Sequence, residues 1–272
     1  MTRPGDIDRL LDRWPAPHLG CALVGPGGVV GAWGDVGRPF DLASVTKVLV
    51  SMGCWVAFEE GAMSVDAPAG PPGSTIRHLL SHASGLPNEG SEPIAAPATR
   101  RVYSNTGFEV LAAALEASTG MTWQDYVSAA VCEPLGLAAT SFGPSAARSG
   151  RSTVTDLTVL CSELLSPTLV SVTTVAAASS NQFGDLPGIV PGFGPQDPCP
   201  WGLGVEIRGD KSPHWTGHTN SVGTFGHFGA SGTFCWVDPD RDLAAIGLGD
   251  VDFGPWAVDL WPALSDALLG LS

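Results

Sequence analysis

Phe40-Asp41-Leu42-Ala43-Ser44-Val45-Thr46-Lys47 opens a stretch that contains no proline and stays rich in apolar residues as far as Glu60. The segment from Ser44 to Glu60 is therefore expected to be a largely buried helix that ends at Gly61. Toward the amino terminus, Gly20–Val24 and Gly28–Trp33 are apolar runs flanking Gly25-Pro26-Gly27, which reads as a β-hairpin behind a short opening helix, Pro4–Arg13. Toward the carboxyl terminus the pattern predicts helices at Ile76–Ser81, Thr106–Thr119, Thr122–Val131 and Thr155–Leu165. The segment Ser179–Pro200, dense in Gly, Pro and Asn, reads as a long loop. Strands are expected at Gly202–Arg208, Ser221–Gly226, Gly232–Val237 and Leu243–Leu248, then a last helix from Trp256 to Leu269. Strands, then helices, then strands imply an α+β architecture. Its antiparallel sheet would draw on residues 1–42 and 198–272, with a mostly helical region, 43–197, between them and the active site at the junction.

Composition narrows the function. The chain has 272 residues, 44% hydrophobic and only 15% charged, with 35 Gly and 23 Pro, the profile of a loop-rich globular protein. A formal net charge of −14 and no Lys/Arg cluster argue against nucleic acid and against anionic membranes, which both require a positive footprint. No apolar run approaches the ~18 residues of a membrane span, and Met1–Trp14 mixes acidic and basic residues where a signal would be apolar. A cytoplasmic location is the expectation. Six widely spaced cysteines form no C-x-x-C pair and no zinc spacing, so they are expected as buried free thiols. His78 and His82 are four apart, but no glutamate follows His78 and no third ligand is evident. No metal is expected, and with no P-loop and no G-x-G-x-x-G, no cofactor either.

Three short elements carry chemistry. Ser44 and Lys47, three apart, share one face of the buried helix. A serine hydroxyl is a feeble nucleophile until a base takes its proton, and a lysine in a dry cleft can be that base because burial disfavours its charge. Alone, the pair reads as an N-cap serine with a surface lysine. Tyr103-Ser104-Asn105 contributes a phenol able to shuttle a proton, if nearby positive charge lowers its pKa, and a side-chain amide able to hold a substrate amide. The alternative is a helix cap beside a packed tyrosine. The third element is His227-Phe228-Gly229-Ala230-Ser231-Gly232, placed before an apolar strand. Its glycines, Gly229 among them, would let substrate approach the strand edge, the Ala230 N–H would join that of Ser44 as a pair of oxyanion donors, and His227 would be the charge or hydrogen-bond partner of Tyr103. A structural histidine in a glycine-rich turn is the alternative.

In order and spacing these elements resemble the serine β-lactamase and penicillin-binding-protein superfamily. They depart from its S-D-N and K-T-G form and resemble the class C and esterase branch, with Y-x-N second and H-x-G third. The likeness extends to Thr75-Ile76-Arg77-His78-Leu79-Leu80-Ser81-His82-Ala83-Ser84-Gly85-Leu86-Pro87, to Glu133-Pro134-Leu135-Gly136-Leu137 and to Trp201-Gly202-Leu203-Gly204. The resemblance implies a serine hydrolase, acylated on Ser44, acting on a small-molecule ester, amide or β-lactam, with the His78–His82 helix structural. Glu163, inside an amphipathic helical stretch, is no counterpart to a deacylating glutamate, which leaves Tyr103 as the candidate base for both half-reactions. With His227 where much of the superfamily has lysine, activity is expected to change as pH crosses ~6.5. The alternatives are an acyltransferase using the same acyl-enzyme and a non-catalytic ligand-binding module. Oligomeric state is left open.

Overall fold

The structure, a computed structural model, describes residues 4–271. After helix α1 (Pro4–Leu11) come β1 (Leu19–Gly25) and β2 (Gly28–Gly34), paired antiparallel through the predicted glycine turn, then the two-residue β3 (Phe40–Asp41). A 3-10 turn at Ala43–Val45 leads into α2 (Thr46–Glu59), in which every residue from Thr46 to Ala57 is buried. The helical region continues with α3 (Ile76–Leu80), α4 (Asn105–Thr119), α5 (Trp123–Val127) and, past a π-helical turn at Ser128–Cys132, the short α6 (Glu133–Leu135). β4 (Ser141–Phe142) and β5 (Gly150–Ser152) join β3 in a small sheet, and α7 (Val154–Leu165) and α8 (Val172–Ala178) follow. The segment expected as a loop contains a short hairpin, β6 (Gly188–Val190) with β7 (Gly194–Gln196), and α8 was not anticipated.

The last third supplies β8 (Glu206–Ile207), β9 (Phe225–Gly229), β10 (Thr233–Asp238), β11 (Leu243–Gly249) and α9 (Pro255–Leu269). These complete one antiparallel six-stranded sheet in the order β2-β1-β11-β10-β9-β8, built from both ends of the chain. Side chains alternate between its two faces. From β10, Cys235 and Val237 enter one apolar cluster with α2 and α7, while Phe234 and Trp236 enter another with α1 and α9. Because helices cover both faces, β10 and β11 are buried at every position, which is why they read as unbroken apolar runs.

Two strand boundaries differ from expectation. Ser221–Thr224 is turn, not strand, because the Asp238 carboxylate takes the Ser221 N–H at 2.8 Å and the Asn220 amide at 3.2 Å, and the strand starts at Phe225. Upstream, Gly204 at φ +91 turns the chain where a Cβ would lie 1.7 Å from Ser51 Oγ, so only Glu206–Ile207 remains to pair with β9. All six cysteines are buried and free.

Candidate active site

Ser44 sits in the 3-10 turn that caps the buried helix α2, and the turn is fixed from three sides. Leu42 N–H donates to Gly150 O at 2.8 Å, Leu42 O accepts from Thr233 Oγ1 at 2.8 Å, and Asp41 O accepts from Ser231 Oγ at 2.5 Å. Ala43 at φ +44 makes the sharp bend. Ser44 Oγ then faces a cavity of about 600 Å³ where the sheet meets the helical region.

Lys47, 0% exposed, lies one helical turn further in. Its Nζ is 3.2 Å from Ser44 Oγ, 2.8 Å from Asn105 Oδ1 and 2.8 Å from Ala147 O. Asn105 Nδ2 donates to the Glu89 carboxylate at 3.2 Å, and a carboxylate can only accept, so the amide orientation is determined and Oδ1 faces the lysine. Two of the three lysine contacts are thus obligate acceptors. The third direction, toward Ser44, holds an N–H in the ammonium and the lone pair in the amine. Burial pushes the Lys47 pKa well below its ordinary value, against the opposing pull of the Glu109 carboxylate, and so favours the amine.

Tyr103 approaches from the loop before α4, whose N-cap is Ser104, with Ser104 Oγ accepting from Gly107 N–H at 2.8 Å. The phenol donates to Ser44 Oγ at 2.7 Å, and Lys47 Nζ lies 4.8 Å from the ring centre. The expectation that positive charge would lower its pKa is not met: burial dominates and raises it, so at rest the phenol is neutral and a donor. Asn105 lines the cavity, yet its amide is engaged by Lys47 and Glu89 instead of standing ready for a substrate amide.

The third element requires correction. His227 lies in β9, opposite Cys235, and not in a loop. Its Nδ1–H donates to Phe228 O at 2.7 Å, its Nε2 has no hydrogen-bond partner among the described residues, and its ring centre is 5.8 Å from that of Tyr103, so it makes no hydrogen bond to the phenol. Burial pushes its pKa down to about 3, so it is no charge partner at neutral pH and does not titrate near 6.5. Gly229 does not line the cavity: a Cβ there would meet Leu42 O at 2.4 Å, so its smallness lets β9 pack against the turn that carries Ser44. Ala230 does line it, and neither its N–H nor that of Ser44 is taken by another group among the described residues. Both are free to face a carbonyl oxygen.

Sequence reasoning missed two features. His82 packs behind Tyr103, with 4.6 Å between ring centres. Glu206 borders the cavity and is buried with all its charge answered: Lys211 Nζ at 2.6 Å and His214 Nε2 at 3.1 Å on one oxygen, Trp215 Nε1 at 2.5 Å on the other. Positions 206, 211 and 214 carry no motif, and only the β8 turn brings them together. Glu163 is structural, accepting the N–H groups of Thr168 and Leu169, both at 2.7 Å. Among the described residues no group of His, Cys, Asp or Glu is arranged to hold a metal, and no helix is long and apolar enough to cross a membrane.

Known proteins resemble this chain in sequence or in fold. A β-lactamase of Mycobacterium bovis, solved by crystallography, is 51% identical over 97% of this chain and 98% of its own, with a TM-score of 0.95. The solved structure of EstCE1, a hydrolase with promiscuous acyltransferase activity, covers 98% of this chain and 97% of its own at TM-score 0.81, and at 17% identity shows the fold alone. Penicillin-binding protein 4* of Bacillus subtilis is 30% identical over 36% of this chain, a match spanning 29% of that relative. The β-lactamase family model matches residues 22–255, from the first sheet strand through the turn of Ser44, the loop of Tyr103 and the strand of His227. The chain belongs to the β-lactamase family.

Proposed function

We propose that the protein is a serine hydrolase that forms an acyl-enzyme on Ser44, and that its substrate is an ester with a bulky apolar acyl group. One observation carries the chemistry: Ser44 Oγ is held at once by the Tyr103 phenol at 2.7 Å and by Lys47 Nζ at 3.2 Å, on the wall of a cavity. The Lys47 amine takes the serine proton as Oγ attacks the carbonyl carbon, and the Ser44 and Ala230 N–H groups receive the oxyanion. Tyr103 gives its proton to the departing alkoxide. The phenolate this leaves is tolerable because Lys47 beside it has become an ammonium. In the second half-reaction water gives its proton to the phenolate and attacks the acyl carbon, and Lys47 returns the first proton to Ser44 Oγ. Both groups end as they began.

The cavity wall supports the substrate class. Val102, Phe228, Phe253 and Pro191 line it, and Ile94 and Ile189, 67% and 53% exposed, stand at its mouth. Apolar side chains left in water around a cleft gain by covering an apolar ligand. A β-lactam is a second reading, favoured by the 51% identical β-lactamase, since opening its amide follows the same proton path. A series of p-nitrophenyl esters from acetyl to decanoyl, run beside penicillin and cephalosporin substrates, tests the assignment. The expected result is a kcat/KM that rises with acyl size and exceeds that for either β-lactam. A series that peaks at acetyl, or β-lactams turned over faster than every ester, contradicts the ester assignment.

A further inference from the structure

No step above uses His82, although it is buried to 1% exposure and its backbone adopts φ +54, a conformation a non-glycine residue rarely takes. That left-handed turn, just past the end of α3, aims two acceptors of one residue at the same stretch of chain. The His82 carbonyl accepts from Val102 N–H at 2.8 Å, and its imidazole Nδ1 accepts from Ser104 N–H at 3.1 Å. Val102 and Ser104 are the two neighbours of Tyr103. The imidazole ring also packs against the Tyr103 ring, 4.6 Å between centres and tilted by 45°, and is backed edge-on by Trp201 at 4.8 Å. A peptide N–H can only donate, so Nδ1 carries no proton and the ring is neutral with its proton on Nε2.

We propose that His82 is a positioning residue for the reaction: its carbonyl and its Nδ1 hold the peptide on either side of Tyr103, and its ring packs against the phenol ring, so that the phenol reaches Ser44 Oγ. The proposal rests on Ser44 and Tyr103 being the reacting groups. General attachment of this loop does not need His82. Ser104 Oγ donates to Pro87 O at 2.7 Å, Arg101 N–H donates to Pro187 O at 2.8 Å, and Arg101 Nη1 reaches Ser81 O at 3.1 Å. What those contacts leave unset is the tilt of the two peptide planes next to the phenol, and a displacement of about 1 Å at a reacting group is enough to cost some 100-fold in rate.

The test is a double-mutant cycle on a p-nitrophenyl ester, with His82→Ala, Tyr103→Phe, the double variant, His82→Asn and a Ser44→Ala control. Asparagine tolerates the left-handed backbone and carries an acceptor oxygen where the imidazole has Nδ1. His82→Ala is expected to lower kcat by about 10- to 100-fold with KM within about threefold, and His82→Asn to recover to within about fivefold of wild type. In the Tyr103→Phe background, removing His82 is expected to lower kcat by less than about twofold, because its effect passes through the phenol. Equal kcat loss in His82→Asn and His82→Ala, or losses that multiply in the double variant, would overturn the positioning role. If His82→Ala does not fold, His82→Asn is compared with His82→Gln, whose acceptor sits one bond too far out; equal rates overturn the proposal and at least tenfold more activity in the Asn variant supports it. A Ser44→Ala protein as active as wild type would instead overturn the underlying serine mechanism.

Discussion

Lys47 shows how a single side chain can be read from what its neighbours are unable to do. Asn105 Oδ1 and Ala147 O cannot donate, so the amine's lone pair is left pointing at Ser44 Oγ. Lys47→Met is expected to lower kcat by about 10²- to 10⁴-fold, the usual worth of a general base, with KM changed far less; a loss under about tenfold would remove Lys47 from proton transfer. The pH dependence follows from the direction of its shift. Burial holds the Lys47 pKa below its ordinary value, so the amine is present above that lowered pKa and the rate falls as pH drops through it. Replacing His227 by Gln should leave that acid limb where it is, since His227 stays neutral down to about 3; a limb displaced by this change would restore a titrating role to His227. Ser44, Lys47 and Tyr103 could be named from the sequence because the order of their motifs resembles that of a known superfamily; residue type and spacing alone leave each with a structural reading. The neutrality of His227 was not legible, because it comes from burial in the middle of a sheet that local sequence does not reveal.

At the scale of elements, β9 and the 3-10 turn form one unit, joined where Gly229 meets Leu42 O and Ala43. Gly229→Ala would place a methyl group 2.4 Å from that oxygen, so the turn carrying Ser44 must shift. The expected outcome is a loss of about 1–3 kcal/mol in stability by denaturant titration, the range for an overpacked site, together with a lower kcat. A Gly229→Ala protein of wild-type stability and rate would contradict the close packing. The buried helix α2 was legible from its proline-free, apolar run, and the β1–β2 hairpin from its turn residues. The start of β9 and the shortness of β8 were not, because a distant carboxylate, Asp238, and a distant side chain, Ser51, decide them. Likewise the β6–β7 hairpin is hidden in a composition that ordinarily marks a loop, and α8 among residues without a clear period.

Across the whole molecule, the strand–helix–strand order was enough to predict a sheet drawn from both chain ends with a cleft at its junction, while the buried charges remained invisible. His82, His214 and His227 are all buried, and burial lowers each of their pKa values below 6.5. Between the lowered values and 6.5 the unfolded chain binds more protons than the folded one, so the histidines' contribution to stability is complete above 6.5 and is lost as pH falls. For a single histidine this amounts to about 2 kcal/mol by pH 5, from 1.36 kcal/mol per pH unit. Urea titrations at pH 7 and pH 5 should show at least that loss, and His227→Gln should shrink it by about one histidine's share; equal stability at the two pH values would mean that the histidines are charged or exposed.

The central claim is that Ser44, activated by its contacts with Lys47 and Tyr103, becomes covalently acylated. Intact-protein and peptide mass spectrometry after exposure to a fluorophosphonate tests it most directly. The account predicts a single adduct on the peptide carrying Ser44, slowed in Lys47→Met and absent in Ser44→Ala. A native protein that takes no label, or takes it at another residue, would contradict it.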